Sequence, residues 1–221
     1  MAAILERPAN LRRRELNLAE LLDRFGPMPA GRIRNDPAPG TATAKDVLAI
    51  HDREKKLCEL VDAVLLEKVM GYDESVLAIE IAHLLKNFIR PKKLGVIAGE
   101  GGMLRLAPEL VRIPDVSFIS RSRLSKVKPP REPMPRLAPN LAVEVLSEGN
   151  TEQEMSRKLD DYFEAGVQLV WFVDPPTRSI EVFTSRGKST VLKGAQTLSG
   201  GTVLPGFKVK VAEIFAVLDD C

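Results

Sequence analysis

Two carboxylates in this 221-residue chain stand where charge is costly. Asp115 lies in RIPDVSFI, and Glu144 lies in LAVEVL, the most apolar strand-like run of the sequence. An ionised carboxylate buried without a partner costs several kcal/mol or takes up a proton. Each position therefore calls for a metal ion, a cation or a set of strong donors. Strand parity groups Glu144 with Ala142 and Leu146, and Asp115 with Ile113 and Ser117. Carboxylates on adjacent strands can converge on a hard divalent cation such as Mg²⁺ or Mn²⁺. Such an ion can orient an attacking water and polarise a phosphodiester.

A lysine is available from helix geometry. In the amphipathic run after Thr151, Met155, Leu159 and Tyr162 form the buried stripe. Lys158 lies about 60° from Met155 and Arg157 about 160° from it, at 100° per residue. Lys158 can lean over the sheet toward Glu144, while Arg157 faces solvent. There Lys158 would stabilise charge at a phosphate or help activate water. Each residue also has a plain structural reading. Asp115 after Pro114 suits a strand-entry turn, Glu144 suits a buried ion pair with an arginine, and Lys158 suits a snorkelling helix residue.

Auxiliary acids are Glu100, in AGEGG on a neighbouring strand, and Glu74 and Glu80, at the border of a long helix. Glu59 suits a structural pair. His51 and His83 read as core or surface residues, and Trp171 and Phe172 as core. No phosphate-cradling glycine loop, HExxH or GxSxG is present, and GEGGM lacks dinucleotide-site spacing. No organic cofactor is expected.

The elements that must position these residues follow from periodicity. Residues 1–40 read as an arm, rich in proline and glycine, with one short amphipathic helix at about 15–24. Leu18, Leu21 and Leu22 of that helix would dock on the body or on a second chain. A domain over 41–221 follows. It opens with a helix over 41–54 and a hairpin of strands 58–62 and 64–68. A helix over 73–90 carries Leu77, Ile81, Leu84, Leu85 and Phe88 as its stripe and ends at Pro91. Val76 and Ile79 lie off that stripe, which suggests cover on a second side. Strands at 94–99, 103–107 and 111–119 precede a basic, proline-rich loop. Strand 141–147 is apolar on both faces and should be central. A helix capped by Thr151 and Glu154 runs to Ala165, and strand 168–174 completes a right-handed β-α-β passage. Strands at 179–184, 189–193 and 207–211 and a short helix close the chain. The fold class is α/β, a mixed sheet flanked by helices with an extended N-terminal arm.

Composition is that of an ordinary globular protein, 44% hydrophobic and 28% charged. No stretch of about 20 apolar residues suggests a membrane span, and the N-terminus lacks the apolar region of a secretory signal. A cytoplasmic protein is expected. Cys58 reads as a small core residue, and with Cys221 it forms no metal or disulfide framework. The net charge of +2 is unevenly spread: residues 90–136 hold eleven Lys/Arg against four Asp/Glu. Loop cations Arg121, Arg123, Lys126, Lys128, Arg131 and Arg136 bracket the site and suit phosphate contacts with a polyanion.

The runs CELVDAVLLEKVMGYDES, RIPDVSFISRSRL, LAVEVLSEGNTEQEMSRKLDDYFEAGVQLVWFVDP and LPGFKV resemble the Uma-two family, within the PD-(D/E)xK nuclease superfamily. The resemblance covers about residues 41–215. It implies a restriction-endonuclease-like core and an endonuclease that hydrolyses DNA with a divalent metal, often as a homodimer. Pro114-Asp115 matches the PD of the motif, and Glu144 the next acid. Leu146 stands where the motif has lysine, and Lys158 is the substitute we infer. Ala63 stands in the hairpin turn where family members often place glycine. Two other readings stay open: a catalytically inactive nucleic-acid-binding protein of the same fold, and an interaction protein whose arm mediates dimerisation.

Overall fold

The structure is a computed structural model, and it describes residues 14–124 and 132–219. In chain order its elements are α1 (Leu18–Phe25), α2 (Ala44–Glu54), β1 (Cys58–Val61), β2 (Val64–Glu67), α3 (Tyr72–Lys92), β3 (Gly95–Gly99), β4 (Leu104–Ala107), β5 (Leu110–Arg112) and β6 (Val116–Ser120). Then come α4 (Arg121–Leu124), β7 (Leu141–Val145), α5 (Glu152–Glu164), β8 (Leu169–Asp174), β9 (Ser179–Ser185), β10 (Lys188–Lys193), β11 (Thr197–Ser199), β12 (Lys208–Lys210) and α6 (Val211–Phe215).

Local signals set most boundaries. Asn17 and Glu20 form a capping box at α1, and Thr43 and Asp46 form one at α2. The β1–β2 hairpin turns on Asp62 and Ala63, both with positive φ, 49° and 58°. That pair of left-handed residues gives the twist a two-residue hairpin requires. The proline does not end α3, which runs one residue further, to Lys92. In the last turn Pro91 sacrifices only one intrahelical hydrogen bond, and Lys93 in the left-handed region closes the helix. Ile79 is 68% exposed, so α3 is covered on one side only.

A six-stranded sheet, ordered β10-β9-β8-β7-β6-β3, forms the centre. Its β7–β8 pair is parallel, with α5 as the crossover, and the other pairs are antiparallel. On one face Leu77, Ile81, Leu85 and Ile89 of α3 pack with α6 against Val143, Val145 and Trp171. Each such fully buried aliphatic side chain contributes about 1.5–3 kcal/mol. The other face packs Ala142, Val170 and Phe172 against Met155, Leu159 and Tyr162 of α5. Leu21, Phe25 and Met28 of the arm join this second cluster, as do Val64 and Leu66 of the hairpin.

The expected strand 111–119 is two strands in two sheets. β5 lies in a four-stranded antiparallel sheet, ordered β2-β1-β5-β4, and β6 lies in the central one. Pro114, which has no N–H to give a ladder, sits at the break between them. This break carries the chain from one sheet to the other and leaves Asp115 at the seam. β11, absent from the sequence reading, pairs with β12 apart from both. Among the described residues no helix is long and apolar enough to cross a membrane.

Candidate active site

The register of β6 against β7 pairs Val116 with Val143 and Ser117 with Ala142. Continued by one step, it sets Asp115 opposite Glu144. Opposed residues of an antiparallel pair share a face, so the two carboxylates look toward α5 and the four-stranded sheet. They are 4% and 3% exposed. The backbone N–H of Val145 donates to Asp115 Oδ2 at 2.6 Å, tying the seam to the central strand.

Each carboxylate has its own lysine. Lys158 Nζ lies 3.0 Å from Glu144 Oε2 and 3.6 Å from Glu59 Oε2. The Tyr162 hydroxyl donates to the other oxygen of Glu144. Lys68 Nζ, one residue past β2, lies 2.7 Å from Asp115 Oδ1 and also donates to the carbonyl of Ile113. Behind them, Arg112 bridges Glu59 at 2.7 Å and Asp161 at 2.6 Å. The backbone N–H of Ile113 fills the other oxygen of Glu59 at 2.9 Å. One polar chain thus links β1, β5, β7 and α5.

Electrostatics separate the two glutamates. Burial pushes Glu144 above its ordinary value, and neighbouring Lys158 and Lys68 only partly oppose it. Burial acts on Glu59 as well, but Lys158 and Arg112 outweigh it and bring the carboxyl down to about 2. Burial pushes Lys158 down, yet Glu144 and Glu59 more than reverse this and hold it raised. Burial, with Glu144 beside it, lifts Tyr162 well above the ordinary phenol value, so its hydroxyl acts as a fixed donor.

The pair fits a hard cation in its chemistry. Both groups offer oxygen, and each carboxylate oxygen keeps a second lone pair beyond its present donor. Four acids (Glu59, Asp115, Glu144, Asp161) face three cations (Lys68, Arg112, Lys158) in the chain of contacts, so with all four ionised one negative charge is in excess. Among the described residues no three His, Cys, Asp or Glu side chains group as metal ligands. A two-carboxylate site matches Mg²⁺, which keeps several waters and binds through one or two carboxylates and substrate phosphates.

The other expected residues are placed as follows. Glu100 is half-buried in the turn after β3, at the register position that faces Asp115. Glu74 begins α3, whose packed side meets Val143 and Val145, on the face opposite Glu144. Neither completes a three-carboxylate cluster. Arg123 gives its guanidinium to the carbonyls of Ala138, Pro139 and Gly166, a structural role. Arg121 instead lines a groove of about 510 Å³ with Lys86, Arg90 and Lys93 and no acid. Lys126, Lys128 and Arg131 lie outside the described residues. A second groove, of about 550 Å³, runs past Phe172 and is rimmed by Glu148, Glu152, Asp174 and Glu181, a poor surface for a polyanion.

Sequence reasoning missed Lys68, Arg112 and Asp161, and used Glu154 only as a cap. Glu154 caps through its backbone N–H, 3.1 Å from the Thr151 hydroxyl, while its side chain pairs with Arg32. The signal was present in two places. Strand parity puts Lys68 on the same side as buried Leu66. Glu154, Lys158 and Asp161, at i, i+4 and i+7, make a polar row on the buried side of α5.

The split β5–β6 crossing, the parallel β7–β8 pair and the carboxylate–lysine seam define a restriction-endonuclease-like α/β protein. Residues 44–212 match the Uma2 family, described as "Putative restriction endonuclease", and the chain belongs to that family. In fold it is similar to a crystal structure titled as a "putative nuclease belonging to DUF820" from Anabaena variabilis ATCC 29413. That match has a TM-score of 0.66 at 14% identity and covers 74% of this chain and 92% of the other. No curated protein matches the chain.

Proposed function

We propose that this protein is a divalent-metal-dependent endonuclease that hydrolyses DNA phosphodiester bonds, acting in the cytoplasm. The observation that carries the reading is that Asp115, one step before β6, lies opposite Glu144 of β7 by continuation of the register, on the face that Lys158 reaches. Asp115 and Glu144 would hold Mg²⁺ or Mn²⁺. When bound, the ion supplies a polarised phosphoryl oxygen and a more acidic water. Tyr162 fixes one oxygen of Glu144 and so orients the carboxylate. Lys158 lies between Glu144 and Glu59, offsets part of their charge, and would help to offset charge that develops on the phosphate. The cationic groove of Lys86, Arg90, Lys93 and Arg121 suits a phosphate backbone but is lined from α3, on the side of the sheet opposite Glu144, so it would hold DNA beyond the scissile bond rather than at it.

Incubation of the full chain with labelled DNA and Mg²⁺ or Mn²⁺ tests this. The wild type should give products that vanish with chelator. Asp115→Asn and Glu144→Gln should lower the rate at least about 100-fold with unchanged circular dichroism. Full activity in both variants overturns the assignment. Salt-dependent DNA binding by the wild type without metal-dependent product favours the non-cutting alternative.

A further inference from the structure

The two lysines of the site are not equivalent. Lys158 stands mid-helix, its side chain 6% exposed, and spans two buried carboxylates. Its departure would take a cation from both. Lys68 is buried to a similar degree, its side chain 8% exposed, but it stands just past the end of a strand, beside the exposed Val69, rather than mid-helix. Its ammonium holds one carboxylate oxygen and one carbonyl oxygen, at the end of a flexible four-carbon stem. Its backbone is anchored by a 2.8 Å hydrogen bond to the carbonyl of Leu57, so a change at the ammonium need not disturb the hairpin.

Charge decides what such a swing would accompany. With Lys68 docked and all four acids ionised, as metal binding requires of Asp115 and Glu144, the seam carries one surplus negative charge. A divalent cation added beside it leaves one surplus positive charge in a buried site. A divalent cation that replaces it leaves the seam neutral. Both cations would also lie against the same carboxylate, and like charges at contact distance repel strongly away from water.

We propose that Lys68 is a resident counter-cation of the metal position, holding Asp115 until a divalent ion displaces its ammonium. Metal loading and Lys68 docking then exclude each other, and Lys68 sets the metal concentration at which the site fills. This rests on the metal reading of Asp115 and Glu144 given above.

The test is Mn²⁺ binding to the full chain without DNA, by titration calorimetry. Lys68→Met should bind Mn²⁺ about tenfold tighter than wild type or more, within the range usual for coupled binding events. Glu144→Gln should lose the binding. Equal or weaker binding by Lys68→Met overturns the inference and leaves the metal reading standing. Absence of binding in both wild type and Lys68→Met overturns the metal reading and this inference with it. A second measurement needs no variant. Amine-reactive labelling of the wild type, read by peptide mass spectrometry, should rise at Lys68 when Mg²⁺ is added and stay flat at Lys158. Labelling of Lys68 that is unchanged or reduced by Mg²⁺ also overturns the proposal.

Discussion

Arg32 holds Glu154 through two parallel hydrogen bonds, 2.8 and 2.7 Å long, across 122 positions of sequence. Glu154 is 1% exposed, and the same guanidinium donates to the carbonyl of Gly149 at 3.0 Å. The arm is thereby fastened to α5, the helix that carries Lys158, from outside the 44–212 segment that the family shares. Arg32→Ala leaves a buried carboxylate without its cation. It should lower unfolding free energy by about 3–5 kcal/mol. Urea denaturation followed by circular dichroism reads this directly, and a loss below about 1 kcal/mol would mark the pair as a surface contact. Removal of residues 1–40 should destabilise further, because Phe25 and Leu21 leave the core with it.

Arg112 is the deepest cation among the described residues, 1% exposed between Glu59 and Asp161. Arg112→Met removes the cation shared by two buried carboxylates and should cost about 3–5 kcal/mol. Replacing Glu59, Arg112 and Asp161 together by apolar residues of similar volume should recover much of that loss, since no unpaired charge then remains. If the triple variant is no more stable than Arg112→Met, packing rather than charge accounts for the effect.

Tyr162 donates to Glu144 from a fully buried position. Tyr162→Phe removes a hydrogen bond to a charged group and little volume. The expected loss is about 1.5–3 kcal/mol in thermal or urea unfolding. A neutral result would mean that Lys158 alone satisfies Glu144.

Acid stability should carry the signature of Glu59. Its carboxyl is held at about 2 in the fold against 4.5 ordinarily. A lowered folded value contributes stability that is present above pH 4.5 and is lost as pH falls toward 2. Glu144 acts oppositely, because burial raises it, and its ionisation costs stability as pH rises past 4.5. Urea midpoints measured between pH 2 and 7 should therefore show a steep acid limb in the wild type. That limb should flatten in Glu59→Gln, and an unchanged limb would assign it to other carboxylates.

Much of the site was legible in one dimension. Asp115 and Glu144 stand out because ionised groups are rare in apolar strand runs, and Lys158 because 100° steps put it at the edge of a buried stripe. The β7-α5-β8 passage follows from caps and from two continuous apolar runs. Less legible was the break at Pro114. One apolar stretch, 111–119, reads as a single strand whether it stays in one sheet or crosses between two.

By itself the sequence determined the local elements, the rare buried charges and the family, because these depend on residue type and short-range periodicity. Tertiary structure alone decided which charges meet. Lys68 reaches Asp115, Arg112 joins Glu59 to Asp161, and Arg32 finds Glu154 only after two sheets, α5 and the arm close on one seam. Ion pairing inside a fold is set by distance and desolvation, and neither is encoded in the spacing of residues along the chain.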